Sequence, residues 1–324
     1  MTLPADAPLQ PIEIDVVLAP PPDTSLEPNG FLAGGGGGVR LHFLDWGGPG
    51  ASAAEHGASA TGPGVLLVPG LLSPAWSWAP VARRLARVRR TSVMDLRGHG
   101  LSDSPPDGYD LDTLGEDAAL VADASGIAGA DGRVVLAGHG FGACVAAATA
   151  AAIGERCAGL VLVDGGMERL AETGDVDADE LLRSLEEPPE VLRSMDAWLA
   201  DRRAFDEASW DADQERAARD AVVESAAGHV VQAVRPFVLA ALVPTLLAYD
   251  PAAVLPRVAA PVIALVAMAA GDPGPRLAEL RRAAEARVAA GFGPVGVVGF
   301  AGTSHNLPRY RPADVTAAIL GVAR

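Results

Sequence analysis

Val134-Val135-Leu136-Ala137-Gly138-His139-Gly140-Phe141-Gly142-Ala143 decides how this chain is read. Its apolar run suits a buried strand, the glycines at 138, 140 and 142 permit a tight turn, and the small residues that follow suit a helix lying close to a sheet. A strand that turns this sharply into a helix lifts its central side chain to the apex of a strained turn. The apex position here is Gly140. Serine, cysteine or aspartate at such an apex attacks a carbonyl or carbon centre, whereas glycine carries no attacking group.

Further motifs flank this stretch in a fixed order. Pro69-Gly70-Leu71 follows the apolar strand Val65–Val68, and Asp95-Leu96-Arg97-Gly98-His99-Gly100-Leu101-Ser102-Asp103 follows a strand over 91–95. Gly302-Thr303-Ser304-His305 follows the apolar run Val295–Phe300. Taken together, and from about Val39 onward, the chain resembles the α/β-hydrolase superfamily with a helical cap. The resemblance implies an α/β-hydrolase fold: a mostly parallel eight-stranded sheet covered by helices on both faces. Four ordered motifs specify this far better than any single short one.

Composition bounds the function. The chain has 324 residues, 49% of them hydrophobic, enough for one large α/β domain with an insertion. Twenty-five basic residues, all arginine, stand against 41 acidic ones, a net charge of −16 that argues against nucleic acid or an anionic membrane as partner. Two cysteines, Cys144 and Cys157, are too few for a disulfide framework, and the first residues lack a secretory signal pattern. A bacterial cytoplasmic protein is expected. The apolar run 236–249 is short and interrupted by Pro244, below the roughly 18 residues of a membrane span.

The chain is expected to divide into a Pro/Gly-rich segment over 1–38, either a loose arm or a loosely attached first strand and its turn, a first core segment over 39–165, a helical cap over 166–245, and a second core segment over 246–324. Strands alternate with helices in both core segments, as in parallel sheets. Between 166 and 245 that alternation stops, and 18 Asp or Glu face 8 Arg, the composition of a solvated helical insertion.

The resemblance assigns the site residues. It makes Gly140 the nucleophile position, vacated, and His305 the general base. The backbone amides of Leu71 and Phe141 become an oxyanion hole. The acid that orients His305 is left between Asp272, in the loop after the strand 261–266, and Asp164, at the end of the preceding strand, with Asp272 ranked first. Trp76 and Trp78 follow the Pro69-Gly70 turn and are candidates to line a substrate pocket, with aromatic packing in the core as the stronger alternative. His139 and His99 read as supports for their loops. Cys144 lies one helical turn beyond Gly140 and reads as packing.

An imidazole suits proton transfer at neutral pH, and such help accelerates reactions by about 10²- to 10⁴-fold. The expected function is therefore an enzyme acting on a small, largely apolar ester or carbonyl compound, by hydrolase or lyase chemistry, without a covalent intermediate. The alternative is a catalytically inactive pseudohydrolase that binds a small molecule or partner. An intact bond from His305 to an aspartate, facing a pocket beside Gly140, favours the enzyme; a filled pocket or displaced histidine favours the binder. No cofactor is expected: metal-ligand and dinucleotide-binding motifs are both missing.

Overall fold

Val65–Val68, Val134–Ala137, Leu160–Val163 and Val262–Val266 are short apolar runs, which a sheet buried on both faces accommodates and an amphipathic helix does not. Their residues alternate between two cores as strand geometry requires. Leu66, Val68, Leu136, Leu160, Leu162, Ala264 and Val266 pack on one side. Val65, Leu67, Val135, Ala137, Val161, Val163 and Leu265 pack on the other. Burying each Val or Leu contributes about 1.5–3 kcal/mol, so these strands anchor the fold.

The computed structural model describes residues 7–34, 38–49, 62–128, 131–173, 178–185, 193–268 and 274–323. Its strands are β1 (Leu9–Pro11), β2 (Asn29–Gly34), β3 (Arg40–Asp45), β4 (Gly64–Val68), β5 (Thr91–Met94), β6 (Val134–His139), β7 (Cys157–Val163), β8 (Val222–Glu224), β9 (Val230–Gln232), β10 (Val262–Met268) and β11 (Val295–Ala301). Nine of them form one sheet in the order β1-β11-β10-β7-β6-β4-β5-β3-β2. Within this sheet, among the described residues, only the β2–β3 and β3–β5 pairs are antiparallel. The sheet therefore has one strand more than the eight expected.

The difference lies in the segment read as an arm. Leu9–Pro11 pairs in parallel with Val295–Val297, and Asn29–Gly34 pairs antiparallel with Arg40–Asp45, so both sheet edges come from the first 38 residues. A proline ending β1 and glycines in β2 suit edges, where a missing donor or side chain breaks no internal ladder.

Residues of the 166–245 segment lie outside this sheet. They include the helices Met195–Phe205, Ala212–Asp220 and the start of Pro236–Ala248. They also include a hairpin, β8 with β9, where only helices were expected. Trp198, Val222 and Val230 make a small core of their own. Two arginines tie this segment to the sheet domain. Arg83 reaches the Asp213 carboxylate at 3.1 and 3.2 Å, and Arg309 donates to Ser209 Oγ at 2.6 Å and the Asp206 carbonyl at 3.1 Å. Among the described residues no single helix is long and apolar enough to cross a membrane.

Candidate active site

Gly140 stands between β6 and the helix Phe141–Ile153 with φ 55° and ψ −122°. That conformation is open to glycine and strained for residues with a Cβ. The turn is compact because the helix starts directly against the neighbouring loop: a Cβ on Gly142 would collide with the carbonyls of Val68 and Pro69. Gly140 N–H donates to the Val163 carbonyl at 3.1 Å, which binds the apex to the end of β7.

Asp164 follows directly, and unusually for a non-glycine residue its φ is +46°; aspartate tolerates this region better than most side chains. Its carboxylate is fully engaged. Oδ1 accepts from Ala267 N–H at 2.8 Å and from Arg276 at 3.1 Å, and Oδ2 lies 2.6 Å from His305 Nδ1. Burial pushes this carboxyl up, but the His305 bond, the Arg276 charge and the Ala267 amide outweigh burial and hold it below the usual carboxylate value. An ionised carboxylate only accepts, so His305 Nδ1 carries the hydrogen, and in the neutral ring the lone pair is on Nε2.

That lone pair faces the apex. A Cβ built on Gly140 would sit 3.1 Å from His305 Nε2 and 3.5 Å from Cε1. The His305 side chain is 62% exposed whereas Asp164 is 3% exposed, so the ring is open to a ligand while its partner is shielded. Of the two acids weighed in the sequence, Asp164 lies within hydrogen-bond reach of the ring, and Asp272, ranked first there, lies outside the described residues. The reason is tertiary: β7 and β11 bring Asp164 and the His305 turn to the same end of the sheet, where Arg276 and Ala267 fix the carboxylate.

His139 supports this arrangement from beneath. Its ring lies 4.5 Å from that of His305, centroid to centroid, and its Nε2 is 3.0 Å from the His305 carbonyl oxygen, to which it donates. Burial above all, with the neighbouring His305, lowers its pKa to about 4 from an ordinary 6.5. Between those values the unfolded chain binds a proton that the folded one does not, so stability declines as pH falls. The expected loss from this residue is about 3 kcal/mol between pH 6.5 and pH 4, with none above 6.5. Denaturant titrations across that interval should show a shallower slope for His139→Gln than for the parent; parallel slopes would contradict this.

The Leu71 and Phe141 amides border the same cavity, and among the described residues neither has a protein acceptor. Phe141 is the first residue of its helix, where amides lack intrahelical partners and the dipole favours negative charge. Leu72, next to the other amide, has φ +63°. Its N–H donates to His99 Nε2 at 3.2 Å, and His99 Nδ1 donates to the Arg97 carbonyl at 3.1 Å. Burial lowers the His99 pKa, which keeps this bridging ring neutral. Asp95 fixes the same loop by accepting from Ala75 N–H at 2.7 Å and Leu101 N–H at 3.1 Å.

These groups open onto a cavity of about 410 Å³ that Leu170, Leu181, Leu185 and Leu246 also line. Neither Trp76 nor Trp78 borders it. Trp78 is wholly buried and Trp76 is buried against Trp46, ring centroids 5.4 Å apart. The short 3-10 turn Ala75–Trp78 directs both indoles into the core. Trp76 borders a different cavity, beside His42 and Asp95. Cys144 does border the site, but burial drives its thiol far above the ordinary value, which suits packing and not attack.

Two site residues had no local signal in the sequence. Arg276, on the helix Gly274–Ala289, bridges Asp164 and Glu168, reaching Glu168 Oε1 at 2.9 Å. Glu168, four residues past Asp164, borders the cavity. An arginine-rich helix looks like a solvated face until its partner strand is known.

Comparisons with known proteins agree with this architecture. Residues 65–319 match the alpha/beta hydrolase family. N-formylmaleamate deformylase of Pseudomonas putida is 38% identical over 138 residues, 41% of this chain and 46% of that protein. The 2-(acetamidomethylene)succinate hydrolase of Mesorhizobium japonicum is 30% identical over 143 residues, 44% of this chain and 49% of that protein. The matches thus span about half the length of these curated relatives. The solved structure of an E-2-(acetamidomethylene)succinate hydrolase superposes with a TM-score of 0.70 at 21% identity, over 91% of this chain and 98% of that one, a likeness of fold. A family match over 65–319, on a sheet that brings its motifs to one end, places the chain in the alpha/beta hydrolase family.

Proposed function

We propose that this chain is a hydrolase-type enzyme that activates water against the carbonyl of a small, largely apolar ester or related carbonyl compound, without a covalent intermediate. Gly140 occupies the nucleophile position of the family, and His305 with Asp164 supplies the base. The observation that carries the reading is the approach of the His305 Nε2 lone pair to an apex with no side chain, within 3.1 Å of where a Cβ would be. Among the described residues no hydroxyl or thiol is hydrogen-bonded to Nε2, although Ser73 and Cys144 border the same cavity, and the proton this base takes is assigned to water or to the substrate.

The steps follow from the geometry. Water attacks the carbonyl carbon while its proton passes to His305 Nε2, and Asp164 stabilises the imidazolium through Nδ1. The carbonyl electron pair moves onto oxygen, where the Leu71 and Phe141 amides receive it. The carbonyl re-forms as the bond to the leaving group breaks, and the imidazolium returns its proton to that group. The intact bond from His305 to Asp164 and the open cavity favour this reading over an inactive binding protein. Hydrolysis of small carbonyl compounds is also what the names of the curated relatives describe.

The test is a screen over short-chain aryl esters, lactones and β-keto compounds, before and after exposure to a serine-directed phosphonate. Turnover that the phosphonate leaves unchanged is expected. Turnover abolished by it would reveal another nucleophile, and silence across all three classes would move the reading to a ligand-binding protein.

A further inference from the structure

Among the described residues, Glu168 is the one carboxylate at the cavity that the proposed mechanism does not use. Its side chain is nine-tenths buried. Arg276 engages Oε1, but Oε2 is buried with no hydrogen-bond partner among the described residues. A buried carboxylate oxygen without a donor is costly, and native structures normally satisfy such an atom. Glu168 borders the same cavity as Gly140 and His305, so a modest turn of its side chain would let a ligand there supply the donor that Oε2 lacks.

The charge balance points the same way. Arg276 is shared between Asp164 and Glu168, leaving two carboxylates to one guanidinium. Among the described residues no arginine borders the cavity. The Leu71 and Phe141 amides are reserved for the reacting carbonyl oxygen, and around Glu168 the wall is Gly165, Gly166, Leu170, Leu181, Leu185 and Leu246, so a second carboxylate placed beside Glu168 meets a like charge and no arginine.

We propose that Glu168 is a specificity residue that accepts a hydrogen bond from an amide N–H, hydroxyl or ammonium group of the substrate and rejects substrates bearing a carboxylate at that position. This rests on the cavity at Gly140 being the substrate site, as proposed above. It sets the chain apart from its curated relatives, whose named substrates, a maleamate and a succinate, are carboxylates. Burial raises the Glu168 carboxyl pKa against the pull of Arg276, in keeping with an acceptor short of donors.

The experiment compares two compounds of one shape, N-benzylsuccinamide and N-benzylsuccinamate, which differ by a primary amide in place of a carboxylate. Isothermal titration of the full chain should show the diamide binding tighter by about tenfold or more, the worth of one hydrogen bond to a charged group. In Glu168→Gln the ratio should fall to within about threefold. Equal or tighter binding of the carboxylate by the parent protein overturns the proposal. So does an unchanged ratio in Glu168→Gln, or failure of both compounds to bind. Because titration needs no turnover, an inert protein that discriminates would sink the catalytic reading and leave this inference standing. Phosphonate-insensitive turnover without discrimination would do the reverse.

Discussion

Gly140→Ser should give a protein that a serine-directed phosphonate labels fully and that releases a burst of phenol from a short-chain aryl ester, neither of which the parent does. The added Cβ falls 3.1 Å from His305 Nε2 and 3.9 Å from Gly70 Cα. The first contact is tight by a few tenths of an ångström, which the largely exposed His305 ring can yield. A hydroxyl one bond further out then lies within hydrogen-bond reach of Nε2, beside the Leu71 and Phe141 amides, the arrangement that activates serine. The change costs stability, because φ is +55° at this position: about 1–3 kcal/mol should be lost in denaturant titrations. A well-folded Gly140→Ser protein that takes no label and gives no burst would show that base, apex and amides are misaligned for carbonyl chemistry.

Much of this site was legible in the sequence because it depends on local pattern. Gly138, Gly140 and Gly142 mark a sharp turn after an apolar strand, and His305 follows another such strand, so the element ends that converge at a parallel sheet could be named in advance. What escaped depended on contacts between distant segments. Asp164 and Asp272 both follow strands, and nothing near either one says that Ala267 and Arg276 will fix the first against His305. Glu168 acquires its place from Arg276, 108 residues away. Trp76 and Trp78 take the core position that aromatic packing favoured over a pocket role, because nearness in sequence to the Leu71 turn is not nearness in space and a four-residue 3-10 turn sends both rings inward.

The hairpin and the extent of the two edges were hard to read for a related reason. Leu9-Gln10-Pro11 and Asn29–Gly34 carry proline and glycine, which weigh against strands in general yet are tolerated at sheet edges. Val222–Glu224 and Val230–Gln232 are three residues each, too short for alternation to stand out, and their pairing depends on the intervening turn with Gly228 at φ 78°. Long internal strands announce themselves by composition, whereas short ones are decided by the partner they find.

The central claim is that the His305–Asp164 pair moves the proton, and Asp164→Asn tests it most directly. Ala267 N–H and Arg276 both donate to Oδ1, so asparagine must turn its carbonyl oxygen toward them and its NH₂ toward His305. The ring then accepts at Nδ1 and carries its hydrogen on Nε2, the wrong tautomer for a base facing Gly140. With the best substrate from the screen, kcat should fall by about 10²- to 10⁴-fold in Asp164→Asn, as in His305→Ala, with KM little changed. Asp272→Asn should stay within about threefold of the parent. The opposite pattern, kcat kept in a folded Asp164→Asn and lost in Asp272→Asn, would contradict the account.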